Sequence, residues 1–124
     1  MQQTNTRRLL LGSIAAAAAA LLAPVAHAQT QPAKSVAVTA LVDHPALDAV
    51  RKGVEDELKA QGWVAGKNLK YQYQSAQGNT ATTSQIARKF VGDKPDVIVP
   101  IATSSAQAVA AATNSIPIVF SAVL

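Results

Sequence analysis

The feature of this sequence that most constrains its fold is a regular alternation of strand-like and helix-like segments. Residues 35–42 (SVAVTALV) form a nearly continuous, β-branched apolar run, which is typical of a strand buried on both faces. After a short loop, apolar residues recur at the spacing of one helix face, at Leu47, Val50, Val54 and Leu58. We therefore predict a strand over 35–42 and a helix over about 45–61, begun by Pro45 and closed near Gly62.

The same alternation continues along the rest of the chain. Residues 69–74 alternate between apolar and polar, which predicts a strand exposed on one side near a sheet edge. The pattern then predicts a polar helix ending near Gly92, a buried strand over 96–101, an alanine-rich helix through 106–112 and a strand over 116–120. Because the connections are short, we predict an α/β fold: a Rossmann-like parallel sheet with right-handed crossovers and helices on both faces.

The first 28 residues have the parts of a secretory signal peptide. Arg7 and Arg8 give a basic start without acidic residues, and an apolar, alanine-rich run extends from residue 9 to residue 25. Ala28 and the small residue two positions before it suit a signal peptidase. We predict cleavage between Ala28 and Gln29, then a short disordered lead over 29–34 and a folded domain over 35–124.

Two alternatives concern this amino-terminal segment. A transmembrane anchor is disfavoured, because the apolar run is shorter than the roughly 20 residues that span a bilayer and a cleavage site follows it. Thr6, the arginine pair and the leucines after it resemble the twin-arginine export motif, although arginine pairs also occur in ordinary signals. We predict a signal of twin-arginine type and a periplasmic protein without a stable membrane anchor.

The mature chain is nearly neutral and lacks the side chains that several kinds of site require. The sequence has 11 basic and 7 acidic residues, and removal of Arg7 and Arg8 with the signal leaves nine basic residues. This balance gives no basic footprint for nucleic acid. With no cysteine and only two histidines, one of them in the signal, the usual metal sites and a lipid-bearing cysteine cannot be built.

The predicted sheet has one edge where a ligand would bind. In open α/β sheets, ligands lie outside the carboxyl ends of the strands, which here are the loops at 43–45, 76–79, 102–105 and 121–123. Thr103, Ser104 and Ser105 open a helix whose first N–H groups can bind a carboxylate. The alternative is that one of these residues caps the helix and the others are solvated, which composition by itself favours.

Other candidate residues carry weaker signals. Asp43 and His44 could form an acid/base pair, but adjacent residues seldom point at each other and no third member is evident, so no catalytic residue is predicted. No glycine-rich dinucleotide or phosphate loop occurs, so no cofactor is predicted. Gly53 lies on the apolar side of the first helix, where close packing on the sheet would explain it. Trp63, Tyr71 and Tyr73 could stack on a ligand, but they lie away from the carboxyl ends of the strands, so core or surface packing is predicted for them.

Four segments of the mature chain stand in a recognisable order. They are VDHPALD at 42–48, GWVAGKNL at 62–69, DVIV with ATSSAQ at 96–99 and 102–107, and IPIVFSAV at 116–123. Together they resemble the ABC-transporter substrate-binding proteins of the tryptophan/tyrosine type. The Gly-Trp-x-x-Gly-x-Asn-Leu segment and the four-part order carry most of the specificity of this resemblance.

The resemblance implies a type I periplasmic binding fold, in which two α/β lobes close on a small ligand. It also implies a ligand such as an aromatic amino acid, which is delivered to an ABC permease driven by an ATPase. The first lobe's share of the cleft would consist of Asp43, His44, Thr103, Ser104, Ser105, Ser121, Ala122 and Val123. On this basis the start of the third helix is expected to bind the ligand carboxylate rather than to be capped.

The sequence departs from the family in one respect. Family members continue after the fourth strand through the rest of this lobe and a whole second lobe, so residues 35–124 are expected to be a partial, truncated first lobe. Two other functions stay open: a small secreted α/β enzyme that uses the Asp43 and 103–105 loops, and a fragment that does not fold stably. The absence of cofactor motifs and of a catalytic constellation favours the binding module over the enzyme.

Overall fold

The structure is a computed structural model that describes residues 33–124. The predicted signal peptide over 1–28, its cleavage between Ala28 and Gln29, and residues 29–32 of the predicted lead lie outside the described residues. The first strand begins at Lys34, the last residue of that predicted lead. No helix within the described range is long and apolar enough to cross a membrane.

Strands and helices alternate throughout the described residues, as the sequence predicts. The elements are β1 (Lys34–Ala40), α1 (Pro45–Ala60), β2 (Leu69–Ser75), α2 (Thr80–Asp93), β3 (Val97–Ile101) and α3 (Thr103–Ala112). α1 begins at Pro45, whose fixed backbone angle suits a first helical turn. α2 begins after Asn79, whose side chain accepts a hydrogen bond from the Thr82 N–H.

The three strands form a parallel sheet in the order β2-β1-β3. β1 lies in the centre, with Lys34 paired to Leu69 of β2 and Val36 paired to Val97 of β3. β2 is at an edge of this sheet, as its alternating pattern predicts. The parallel arrangement follows from the helical crossovers, which return the chain to the same end of the sheet each time.

Helices cover both faces of the sheet, which confirms the predicted layering. Val36, Val38 and Ala40 of β1 face α1, whose apolar stripe is half-buried against them. Ala37 belongs to the other face, where α2 and α3 contribute Phe90 and Val109 to a second apolar cluster. The continuous apolar pattern of β1 is therefore explained by burial on both sides.

Residues 116–121 lie beside β3, where a fourth strand is predicted. The Ile98 N–H donates to the Pro117 carbonyl at 3.0 Å, and the Ser121 N–H donates to the Pro100 carbonyl at 3.1 Å. These contacts are two isolated parallel bridges, at Ile118 and Ser121, rather than a full strand. The segment predicted as a fourth strand thus pairs with β3, but its pairing is discontinuous.

Gly53 does not have the packing role that the sequence predicts. It is exposed, and a Cβ atom placed on it would meet no atom within 4 Å. The α1 stripe that meets the sheet consists of Leu47, Val50, Val54 and Leu58, and Gly53 lies outside it. The prediction was wrong because successive helical residues point about 100° apart, so Gly53 does not share the face of Val54.

Candidate ligand-binding site

The carboxyl ends of β1 and β3 are the place in this sheet where a ligand site is expected. From β1 the chain goes first to β2 on one side and then to β3 on the other, so the strand order reverses between β1 and β3. In open α/β sheets this reversal is where ligands bind. The loop after β1 contains Asp43 and His44, and the loop after β3 is the single residue Ala102 before α3 begins at Thr103.

The start of α3 is uncapped and its backbone is strained. Ala102 occupies the N-cap position with φ 78° and ψ 157°, and no side chain accepts a hydrogen bond there. This region of backbone space is one that glycine alone adopts without cost, so an alanine there stores about 1–3 kcal/mol. The first helical bond runs from the Ala106 N–H to the Ala102 carbonyl at 3.0 Å. The three N–H groups before it have no intrahelical partner.

The capping interpretation of the hydroxyl residues is therefore wrong. Thr103, Ser104 and Ser105 follow the cap instead of forming it, because a single residue, Ala102, separates the end of β3 from the start of α3. All three lie in the first turn of α3, where backbone N–H groups have no intrahelical partner. A sequence pattern of hydroxyl residues cannot distinguish these two placements, which differ by one or two residues along the chain.

The three hydroxyl groups have different surroundings. The Thr103 hydroxyl accepts a hydrogen bond from the Leu124 N–H at 3.1 Å and lies 3.4 Å from the Leu124 carbonyl oxygen. The Ser104 and Ser105 hydroxyls are buried and have no hydrogen-bond partner among the described residues. Ser105 is fully buried, so neither its hydroxyl nor its backbone N–H reaches the surface. Ser104 is half-buried and lies nearer to solvent.

Two side chains hold Asp43 in place, one from β2 and one from the loop that follows it. The Tyr73 hydroxyl donates to Asp43 Oδ1 at 2.8 Å, and Gln77 Nε2 donates to Asp43 Oδ2 at 2.9 Å. The hydrogen bond from Tyr73, followed by that from Gln77, lowers the pKa of the Asp43 carboxyl. Asp43 is thus a fixed, ionised carboxylate at the carboxyl edge of the sheet.

His44 caps α1. Its Nδ1 accepts a hydrogen bond from the Ala46 N–H at 3.2 Å, so the ring proton of the neutral imidazole is on Nε2. Asp43 and His44 therefore have separate partners, and neither orients the other as an acid/base pair requires. His44 is exposed.

The last predicted group lies beside α3. Ser121 pairs with Ile101, and the Ser121 carbonyl accepts a hydrogen bond from the Ala102 N–H at 3.0 Å. Ala122 has a positive φ of 53°, and Val123 is exposed. The structure thus brings residues 121–123 next to the start of α3, on the side away from β1.

Sequence reasoning missed three residues that shape this edge. Tyr73 and Gln77 fix Asp43, and the Arg51 guanidinium lies 4.3 Å from the centre of the Tyr73 ring. Burial, then the hydrogen bond to Asp43, raises the pKa of Tyr73 to about 12, so its hydroxyl stays a donor. The strand alternation could have indicated that Tyr73 faces α1. Within residues 33–124, no three His, Cys, Asp or Glu side chains are grouped to hold a metal ion.

Comparison with known proteins agrees with this architecture. Residues 35–124 match the family described as ABC transporter substrate binding protein. A tyrosine-binding protein of Clostridioides difficile strain R20291 is 46% identical over 90 residues, which are 73% of this chain and 26% of that protein. The chain thus spans about a quarter of the length of this curated relative.

Solved structures show the same fold. A conserved domain protein from Vibrio cholerae O1 biovar El Tor is 59% identical with a TM-score of 0.72, and covers 73% of this chain. The ligand-free, open form of a substrate-binding protein with adhesive properties from Clostridium difficile is 47% identical, with a TM-score of 0.71. An ABC domain from Streptococcus pneumoniae in complex with L-Trp is 28% identical, with a TM-score of 0.70.

These three matches each cover 73% of this chain and 30% of the solved chain. The family match over residues 35–124 covers more than half of the sequence. This chain therefore belongs to the ABC transporter substrate binding protein family.

Proposed function

We propose that this chain supplies the first-lobe wall of a cleft that binds an aromatic amino acid or a closely related small molecule. The protein would be the exported, periplasmic binding component of an ABC importer, and its partners would be the permease and its ATPase. The observation that carries this proposal is the strained, uncapped start of α3 at the point where the strand order reverses. Strain of this kind persists where the surrounding structure and a function require it.

The start of α3 is the proposed seat of the ligand carboxylate. The N–H groups of Thr103, Ser104 and Ser105 have no intrahelical partner, and the positive end of the helix favours an anion. The buried Ser104 hydroxyl lacks a hydrogen-bond partner in the described part of the chain and can donate to the same anion. These groups are already oriented, so little ordering is needed when the ligand binds.

Asp43 is the proposed partner of the ligand ammonium group. It follows β1, the strand next to β3, so the two loops are neighbours at the same edge. Each of its carboxylate oxygens accepts one hydrogen bond and keeps lone pairs for a ligand. An anion site and a cation site on adjacent strands match the two charges of a zwitterionic amino acid. Residues 121–123 and His44 would form the sides of the cleft.

The aromatic part of the proposal comes from the relatives. The curated relative is named for binding tyrosine, and one solved relative contains L-Trp. Since this chain covers 26–30% of their lengths, it would hold one wall of the cleft. We therefore expect weak binding by this chain alone, with a Kd of about 1 mM, because the other wall contributes no contacts.

Titration of the purified, uniformly labelled chain in ¹H–¹⁵N spectra tests the proposal. L-Tyrosine and 3-(4-hydroxyphenyl)propionate should shift the amide signals of residues 103–105, whereas tyramine, which has no carboxylate, should not. Tyramine and L-tyrosine should both shift the signals of residues 43–44. Equal effects of the three compounds, or no shift at residues 103–105, would contradict the proposed carboxylate site.

A matched pair of variants separates the site from the fold. Ser104→Ala removes the unpartnered hydroxyl and should weaken L-tyrosine binding about tenfold, while leaving the circular dichroism spectrum unchanged. Ser84→Ala makes the same change in α2, outside the proposed site, and should leave the affinity unaltered. The same affinity for both variants would show that the Ser104 hydroxyl takes no part.

A further inference from the structure

A cavity lies at the end of the sheet opposite to the ligand-binding loops. It has a volume of about 420 Å³ and is bounded by the end of α1, the loop over residues 62–68 and the start of β2. Leu58 lies in the last turn of α1 and Leu69 is the first residue of β2, so the cavity is at the amino end of the strands. This volume is within the range of pockets that bind small molecules.

The loop that forms one wall of this cavity is built from the Gly-Trp-x-x-Gly-x-Asn-Leu segment. Asn68 Oδ1 accepts a hydrogen bond from the Val64 N–H at 2.7 Å, and Asn68 Nδ2 donates to the Gly62 carbonyl at 3.0 Å. The backbone N–H of Trp63 donates to the Leu58 carbonyl at 2.8 Å. Gly62 and Gly66 have φ near +85°, which a side chain would oppose. The wall is therefore fixed by its own hydrogen bonds, at a distance from the amino-acid cleft.

The lining of the cavity is mainly apolar. Leu58, Trp63 and Leu69 form its floor, and Val64 lines it with 42% of its surface exposed. Tyr71 lies at the side, where its hydroxyl donates to Glu55 Oε1 at 2.7 Å. A large aromatic ring and aliphatic side chains suit a small aromatic or branched apolar group.

The charged side chains around the cavity favour a ligand with a negative charge. The Glu55 carboxylate accepts from Tyr71 and also pairs with Arg51 at 3.5 Å, so its charge is compensated. Lys59 also lines the cavity and has no ion-pair partner among residues 33–124. An adjoining cavity of about 410 Å³, which shares Leu69 and Tyr71, is bordered by Lys67 and Lys70. The uncompensated charge around the two cavities is therefore positive.

We propose that this cavity is a second binding site, which takes a small apolar anion such as an aromatic carboxylic acid. The ring of the ligand packs on Trp63 and Leu69, and its acid group meets Lys59 at the rim. The site does not depend on the amino-acid cleft, because it uses none of the residues at the carboxyl edge of the sheet. It accounts for a loop that the family resemblance singles out and that the cleft does not use.

Trp63 makes this proposal directly testable, because it is the only tryptophan in the sequence. Addition of 3-phenylpropionate to the purified chain should change the Trp63 fluorescence and its indole N–H signal in a saturable way. Neutral 3-phenylpropanol should bind about two- to fivefold more weakly, and 3-phenylpropylamine more weakly still, since one exposed ion pair contributes little. No saturable response up to about 10 mM, or equal responses to the three compounds, would overturn the proposal.

Two variants and a control keep the test specific. Lys59→Gln should abolish the preference for 3-phenylpropionate over 3-phenylpropanol, whereas Lys52→Gln, on the same helix but outside the cavity, should keep it. Val64→Glu places a like charge on the exposed wall and should weaken 3-phenylpropionate binding, without loss of the fold because Val64 is not buried. An unchanged preference in Lys59→Gln, or a Trp63 response to L-tyrosine equal to that to 3-phenylpropionate, would overturn the second site.

Discussion

Ala102 is the residue whose conformation has the clearest energetic consequence. Its φ of 78° and ψ of 157° are accessible to glycine without strain. We expect Ala102→Gly to stabilise the fold by about 1 kcal/mol, since relief of the strain exceeds the extra chain entropy lost by glycine. The same change at Ala110, an exposed helical position two residues before the end of α3, should instead destabilise by about 0.5–1 kcal/mol. Urea unfolding measures whether each change raises or lowers the free energy of unfolding. Destabilisation by Ala102→Gly would show that no strain is stored there.

Tyr73 sets the ionisation of the carboxylate beside it. Tyr73→Phe removes the largest cause of the lowered pKa of Asp43, so that pKa should rise toward its usual value. A carboxyl whose pKa is lower in the folded than in the unfolded protein stabilises the fold above its unfolded-state pKa, and this stabilisation is lost as the pH falls through the folded-state pKa. The difference in free energy of unfolding that this ionisation causes between the unmodified protein and Tyr73→Phe should therefore be complete at neutral pH. It should shrink as the pH falls below about 4.

The Asp43 pKa can be followed by the carboxyl carbon signal in NMR titrations. Tyr71→Phe is the matched control, because the Tyr71 hydroxyl donates to Glu55 and not to Asp43. An Asp43 pKa that is the same in Tyr73→Phe and in the unmodified protein would contradict the assigned hydrogen bond.

At the scale of elements, α1 is the helix with the least burial. None of its residues is fully buried, and its apolar stripe is half-buried on the sheet. Its stability therefore depends partly on local terms, which are the His44 cap and the i,i+4 contacts of Arg51 with Glu55 and Lys52 with Asp56.

Gly53→Ala tests this local contribution. The glycine is exposed and a Cβ there meets no neighbour, so we expect stabilisation of about 0.5–1 kcal/mol from helix propensity alone. Gly66→Ala is the contrasting variant, because the positive φ of Gly66 makes any side chain unfavourable there. Thermal unfolding should show opposite signs for the two variants. A loss of stability in Gly53→Ala would mean that the glycine packs closely after all.

At the scale of the whole molecule, the two apolar clusters on either side of the sheet stabilise the fold. Phe90 of α2 is 1% exposed and belongs to the cluster beneath α2 and α3, whereas Phe120 is 57% exposed. Phe90→Ala should cost about 3–5 kcal/mol, and Phe120→Ala should change the stability by no more than about 0.5 kcal/mol.

These two residues are the only phenylalanines in the sequence, so the pair compares one residue type in two environments. Where Phe90→Ala leaves too little folded protein to measure, Phe90→Leu should still lower the urea midpoint by a smaller amount. Similar midpoints for the Phe90 and Phe120 variants would mean that the cluster beneath α2 is not the main core.

The sequence by itself determined the order and type of the elements. The continuous apolar pattern of β1, the helical spacing of Leu47 to Leu58 and the alternation over β2 are local periodicities, and each follows directly from burial on one or two sides. They also led to the parallel sheet and the edge position of β2, because short helical crossovers leave few topologies. The segments quoted for the family resemblance were sufficient to identify the family.

Only the tertiary structure decided how the candidate site is arranged. The partners of Asp43 are Tyr73 and Gln77, which lie 30 and 34 residues away in the sequence, and no local pattern indicates such contacts. The strained cap falls on Ala102 because β3 ends at Ile101, where it pairs with residues 116–121. A shift of this pairing by one residue would place a different residue at the cap. Burial and periodicity act within a few neighbouring residues, whereas a binding site depends on which distant loops the closed fold brings to one edge of the sheet.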